Sequence, residues 1–151
     1  MPEFPLRSIT NISSKDTYSQ LIVDEESYLI DVRSKLEWAN DGIPDLSKCH
    51  NKLILIEWVL TPYMKKNENF LSQFDEKLKI KLQKNNMLFF ICRSGIRSNE
   101  AAEAVNFFLN DTDYNFHCLN VVDGFNNNNG SMPSEYLKGW KNEGLPWNYY
   151  Y

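Results

Sequence analysis

One heptapeptide carries residue types that do chemistry together: Cys92-Arg93-Ser94-Gly95-Ile96-Arg97-Ser98. It follows an unbroken apolar run, Met87-Leu88-Phe89-Phe90-Ile91, and precedes an amphipathic helical stretch over 100–109. A thiol is therefore set at a strand-to-helix turn beside two arginines and a glycine. If the loop wraps back over its first residue, backbone N–H groups converge on the sulfur. The next helix adds unpaired N–H groups and the positive end of its dipole, and Arg93 and Arg97 add full charges. Each effect favours thiolate over thiol, so the cysteine pKa is expected to fall, and each also favours a small bound anion. Gly95 suits a turn that needs unusual backbone angles or close approach. A structural cysteine at the end of a core strand is the competing reading, but arginine, serine and glycine are poor core company.

Positioning this loop requires a scaffold, and the apolar pattern supplies one. Alternation along the chain predicts strands over 7–12, 28–32, 53–56, 87–91 and 117–122. Helices are predicted from Ser13, over 34–40, over 68–84, over 100–109 and over 134–142. Ser34 with Glu37 forms a capping-box pair, and Ser13 with Asp16 a weaker one. Residues 43–46 read as a connector, 61–63 as a strand break, 126–129 as an Asn-rich loop and 144–147 as an irregular aromatic tail. Strands apolar on both faces, alternating with helices, argue for a mostly parallel sheet covered on each side. Ligands bind such sheets at the carboxyl ends of strands, where both Cys92 and Asp31 fall.

The chain has 151 residues, 42% of them hydrophobic, which suits a single domain over 1–151 with its core over about 7–147. The net charge of -4 and the lack of a basic stripe argue against nucleic acid as a partner. No apolar run approaches a membrane span, and no secretory leader is read at the N-terminus. Three cysteines at no scaffold-like spacing point to a reduced, cytoplasmic protein. Cys49-His50 and His117-Cys118 invite a metal reading. Strand neighbours point to opposite faces, so each pair offers one ligand per side, and no metal is expected. Cys118 is expected to be a packed thiol. Trp140, Trp147 and the terminal tyrosines are expected to cover a core edge.

The heptapeptide resembles the active-site loop of rhodanese-type sulfurtransferases. Leu29-Ile30-Asp31-Val32-Arg33 with Glu37-Trp38 resembles the family's first-half signature. Asn120-Val121-Val122-Asp123-Gly124-Phe125 resembles the segment after its catalytic helix. The stretch from Gly139-Trp140 to Leu145-Pro146-Trp147 resembles its C-terminal end. The four segments lie in the family's order from about Ile9 to Trp147. A departure is Gly42-Ile43-Pro44-Asp45-Leu46, where many members carry a histidine in a Gly-His-Ile stretch.

The resemblance implies a rhodanese-like three-layer α/β fold with a five-stranded, mostly parallel sheet and helices on both faces. It implies that the Cys92 thiolate takes a sulfane sulfur from a small anion such as thiosulfate and passes it to cyanide, a thiol or a carrier protein, without a metal or organic cofactor. Cys92 is then the nucleophile, and Arg93, Ser94, Gly95, Ile96, Arg97 and Ser98 line the substrate site. Asp31 and Arg33 hold the loop geometry through an ion pair or turn hydrogen bonds. Arg97 either meets the anion or turns away to a carboxylate, and Ser98 either reaches the sulfur or caps the helix. Two rival readings remain: a non-catalytic module that binds a protein partner, and a cysteine phosphatase or arsenate reductase. Phosphatases hold one more residue between cysteine and arginine than the four found here, and the shorter ring suits a single sulfur.

Overall fold

The computed structural model describes residues 8–78, 81, 85–126 and 137–151. Its centre is a five-stranded sheet in the order β1-β8-β7-β2-β4, all pairs parallel. The strands are β1 (Thr10–Ile12), β2 (Ser27–Asp31), β4 (Leu53–Leu55), β7 (Asn85–Ile91) and β8 (Asn115–Val121). Parallel neighbours need crossovers, and helices supply them: α1 (Ser14–Val23), α2 (Lys35–Asp41), α3 (Phe70–Leu78) and α4 (Ile96–Leu109).

Side-chain alternation along β7 divides the core. Leu88, Phe90 and Cys92 face one side with Ile30, Val32, Phe116 and Cys118; the helices α3 and α4 cover that side through Phe70, Phe74, Leu78, Ala101, Ala102 and Val105. Phe89 and Ile91 face the other side with Leu29, Leu119 and Val121, under Leu21 of α1, Phe125 and Trp140. Burial on both faces explains why β7 is apolar at consecutive positions. In α3 the buried residues Phe70, Phe74 and Leu78 recur every fourth position, one face of the helix. In α4 the buried residues are Ser98, Ala101, Ala102, Val105, Asn106 and Leu109, with Ala104 and Phe108 partly buried beside them.

Local chemistry sets the helix ends. Ser13 caps α1, its Oγ accepting from the Asp16 N–H at 3.1 Å. At the other end, the Lys52 ammonium donates to the carbonyls of Leu21, at 2.9 Å, and Asp24, closing the helix with a cation where its dipole is negative. Ser34 and Glu37 form the complete capping box of α2. Gly42, at φ +87°, ends that helix.

Four readings change. Residues 43–46 are not only a connector: β3 (Ile43–Pro44) pairs antiparallel with β9 (Trp147–Asn148), so the aromatic tail is partly a strand. The chain beyond β4 does not simply break but forms a hairpin of β5 (Val59–Leu60) and β6 (Lys65–Lys66). The helix expected over 134–142 is not one at 137–142, where the chain turns at Gly139, φ +91°. There the Trp140 and Lys141 N–H groups donate to the Gly124 and Phe125 carbonyls rather than along a helix. The N-terminal residues 1–7, Asn127 to Asn129, and Ser134 to Tyr136 lie outside the described residues. Among the described residues, no helix is long and apolar enough to cross a membrane.

Candidate active site

The strand β7 is second-neighbour to both sheet edges and ends at Ile91, so Cys92 emerges at the carboxyl end of the sheet's centre. Its side chain is 1% exposed. The Gly95 N–H donates to Sγ at 3.1 Å, which closes the turn back over the sulfur. Ser98 Oγ lies 3.1 Å from the same sulfur. Gly95 has φ +100° and is itself the N-cap of α4, with no side-chain cap. Ser98 therefore faces the sulfur rather than capping the helix, which corrects that alternative.

Two glycines let this turn pack. A Cβ on Gly95 would sit 2.5 Å from the Val122 carbonyl oxygen. A Cβ on Gly124, φ +68°, would drive into the Arg93 carbonyl. The loop after β8 is thereby pressed against the Cys92 loop. The Phe125 N–H seals the contact by donating to the Cys92 carbonyl at 2.8 Å. Asp123 holds the far side: its carboxylate accepts from the Ser14 N–H and hydroxyl at 2.8 and 2.9 Å and from the Gly139 N–H at 2.9 Å.

The charged residues divide. Asp31 and Arg33 form a buried ion pair, Nη2 to Oδ2 at 2.6 Å and Nε to Oδ1 at 3.0 Å. Arg33 Nη2 also donates to the Gly42 carbonyl at 2.8 Å, and the guanidinium stacks 3.9 Å from the Phe125 ring centroid. Since Phe125 is bonded to the Cys92 carbonyl, this pair buttresses the loop from beneath. Arg97 does not turn freely toward the sulfur. It meets Glu37 of α2 in a bidentate pair, at 2.6 and 2.9 Å. Burial disfavours both charges. The mutual bonds and charges outweigh it, holding Glu37 below the usual carboxylate range and Arg97 above its own. Nearby Cys92 and Asp31 add to the upward push on Arg97. Arg93, Ser94 and Ile96 are exposed around the mouth, Ile96 to 73%.

Sequence reasoning missed two partners. Glu37 was read as a helix cap, and it is also the anchor of Arg97. Asn120, 3% exposed, accepts from the Ser98 hydroxyl at 2.6 Å through Oδ1, and its Nδ2 donates to the Gly95 carbonyl at 3.1 Å. The available signal was a polar residue inside the run Leu119-Asn120-Val121-Val122. The other thiols lie apart: Cys118 packs in the same core half as Cys92, Cys49 in the opposite half. Burial pushes the Cys49 thiol above its usual range, with Lys52 opposing.

A family model described as rhodanese-like domain matches residues 14–129. Uncharacterized proteins of Rickettsia conorii and Rickettsia prowazekii are 37% identical over 142 residues and 38% identical over 141. These alignments cover 94% and 93% of this chain and 99% and 98% of the relatives. The crystal structure of Rv0390 from M. tuberculosis is similar at a TM-score of 0.71 and 31% identity, over 94% of this chain and 98% of that one. A rhodanese-like domain protein from Staphylococcus aureus, at a TM-score of 0.53 and 15% identity over 95% of this chain and 100% of its own, is alike in fold alone.

Proposed function

This chain belongs to the rhodanese-like domain family, and from that premise we propose that it is a sulfurtransferase working through a persulfide on Cys92. The observation that carries the reading is the sulfur itself: buried at the end of the central strand, it accepts the Gly95 N–H within a loop that opens a fourteen-residue helix. A thiolate there faces the positive end of α4. In the first step it attacks the outer sulfur of a donor such as thiosulfate. The S–S bond breaks, and sulfite departs with the bonding electrons. The anionic outer sulfur of the persulfide then rests against N–H groups of the Cys92–Ser98 turn. In the second step cyanide, a thiol or a carrier-protein thiolate takes that sulfur, and Cys92 returns as thiolate. Arg93 supplies positive charge at the mouth, while Arg97 contributes its field from the Glu37 pair. The reaction needs no metal or organic cofactor. Three buried cysteines that form no disulfide fit a reducing compartment such as the cytoplasm.

Intact-mass measurement after incubation with thiosulfate tests the proposal. A gain of about 32 Da, lost in Cys92→Ser, is expected. No adduct, together with turnover of an aryl phosphate, would replace sulfur transfer with phosphatase chemistry. No adduct and no turnover would favour a protein-binding module.

A further inference from the structure

The hydrogen bonds around Ser98 admit only one arrangement of protons. A serine hydroxyl has a single proton to donate. Asn120 Nδ2 donates to the Gly95 carbonyl at 3.1 Å and to Asn11 Oδ1 at 3.2 Å. The Gly95 carbonyl has no proton, so the Asn120 amide cannot be reversed without setting oxygen against oxygen. Asn120 Oδ1 therefore faces Ser98 Oγ, at 2.6 Å, and that short contact needs the hydroxyl proton between the two oxygens. Ser98 is left with lone pairs toward Cys92 Sγ, 3.1 Å away. Only a thiol, S–H donating to Oγ, completes the chain. All three side chains are buried.

The geometry points to Asn120 as a positioning residue that competes with Cys92 for the Ser98 hydroxyl proton. In the resting site Asn120 holds that proton, and Ser98 accepts from the thiol. When the sulfur gives its proton to water, the hydroxyl must swing from Asn120 to Sγ, where it joins the Gly95 N–H as a second donor to the anion. Asn120 thus withholds from the sulfur a hydroxyl donor that lies 3.1 Å from it. The charged groups around the sulfur have partners of their own. Arg97 of α4 stays paired with Glu37 of α2. Asp31 stays paired with Arg33 at the end of β2. Asp123, after β8, stays bonded to Ser14 and Gly139. Arg93 is exposed at the mouth. The inference rests on Cys92 as the nucleophile, but its readouts do not require sulfur transfer, so either can fail without the other.

The test is a double-mutant cycle read by iodoacetamide alkylation of Cys92 across pH, with the labelled site identified by peptide mass. Asn120→Ala frees the Ser98 hydroxyl. Alkylation at a fixed mildly acid pH should be faster by up to about tenfold, the worth of one hydrogen bond. In the Ser98→Ala background the same Asn120→Ala change should have a much smaller effect, that of the lost Gly95 carbonyl contact alone, because there is no hydroxyl to free. A purely structural role for Asn120 would move both backgrounds alike, and that outcome overturns the proposal. If Asn120→Ala does not fold, the S–H stretching band decides, assigned by its loss in Cys92→Ser. A band displaced to the hydrogen-bonded position in the native protein, returning to the free position in Ser98→Ala, supports the arrangement. A free-thiol band in the native protein overturns it.

Discussion

Close to the sulfur, geometry rather than residue type does most of the work. Gly95 shows how. Its φ of +100° is open to glycine, and its missing Cβ leaves room for the Val122 carbonyl. Gly95→Ala combines left-handed strain of about 1–2 kcal/mol with a clash against backbone. The loop must open to relieve it, which withdraws the N–H from Sγ. The expected outcome is a folded but less stable protein, measured by urea denaturation, whose Cys92 forms the sulfur adduct much more slowly. Equal rates in the two proteins would show that this N–H is dispensable. Arg33 makes a second case. It is 1% exposed and carries two bonded nitrogens plus an aromatic stack. Arg33→Ala strands a buried Asp31 carboxylate, and the expected loss of stability is about 3–5 kcal/mol. A loss below 1 kcal/mol would mean that the pair behaves as a surface ion pair.

Between elements, the contact that matters is the one joining α2 to α4. Glu37 caps its own helix through Ser34 and grips Arg97 of α4. Its carboxyl titrates below the usual range in the folded state, despite burial, because Arg97 and Ser34 stabilise the anion. The folded state thus binds this proton less readily than the unfolded chain. The stability Glu37 adds is complete above the ordinary carboxylate range and is lost as pH falls through its lowered folded value. Arg97 stays charged throughout. Thermal unfolding followed from neutral to acid pH should show a fall in this window that is blunted in Glu37→Gln. An unchanged acid slope in that variant would assign the fall to other carboxylates. The capping pair Ser34 and Glu37 was legible from spacing alone, because a cap is a local event. The grip on Arg97, sixty positions away, was not, because it depends on how two helices approach at the carboxyl end of the sheet.

Across the whole molecule, the parallel sheet ranks its strands by burial. The strand β7 pairs on both sides, with β2 and β8, whereas β1 and β4 are the edges. Backbone N–H groups of β7 should exchange slowest in native-state hydrogen exchange and those of β1 fastest among the five. Similar protection across the sheet would show that it opens only as one unit. This ranking also explains why the Cys92 thiol is rigidly placed: Cys92 continues the most enclosed strand, and the loop around it is clamped by Gly124 and Phe125 from the far end of β8.

By itself, the sequence determined the five sheet strands and four covering helices, the parallel α/β class, the strand-end position of Cys92 and the caps at Ser13 and Ser34. These follow from apolar periodicity and from contacts within a few residues. Only the tertiary structure decided that 43–44 pairs with 147–148, that 137–142 turns instead of coiling, that Arg97 faces Glu37, and that Asn120 claims the Ser98 proton. Each of those depends on groups brought together from distant parts of the chain. A buried polar group must find a partner wherever the fold places one, and that partner is not written in the neighbouring residues.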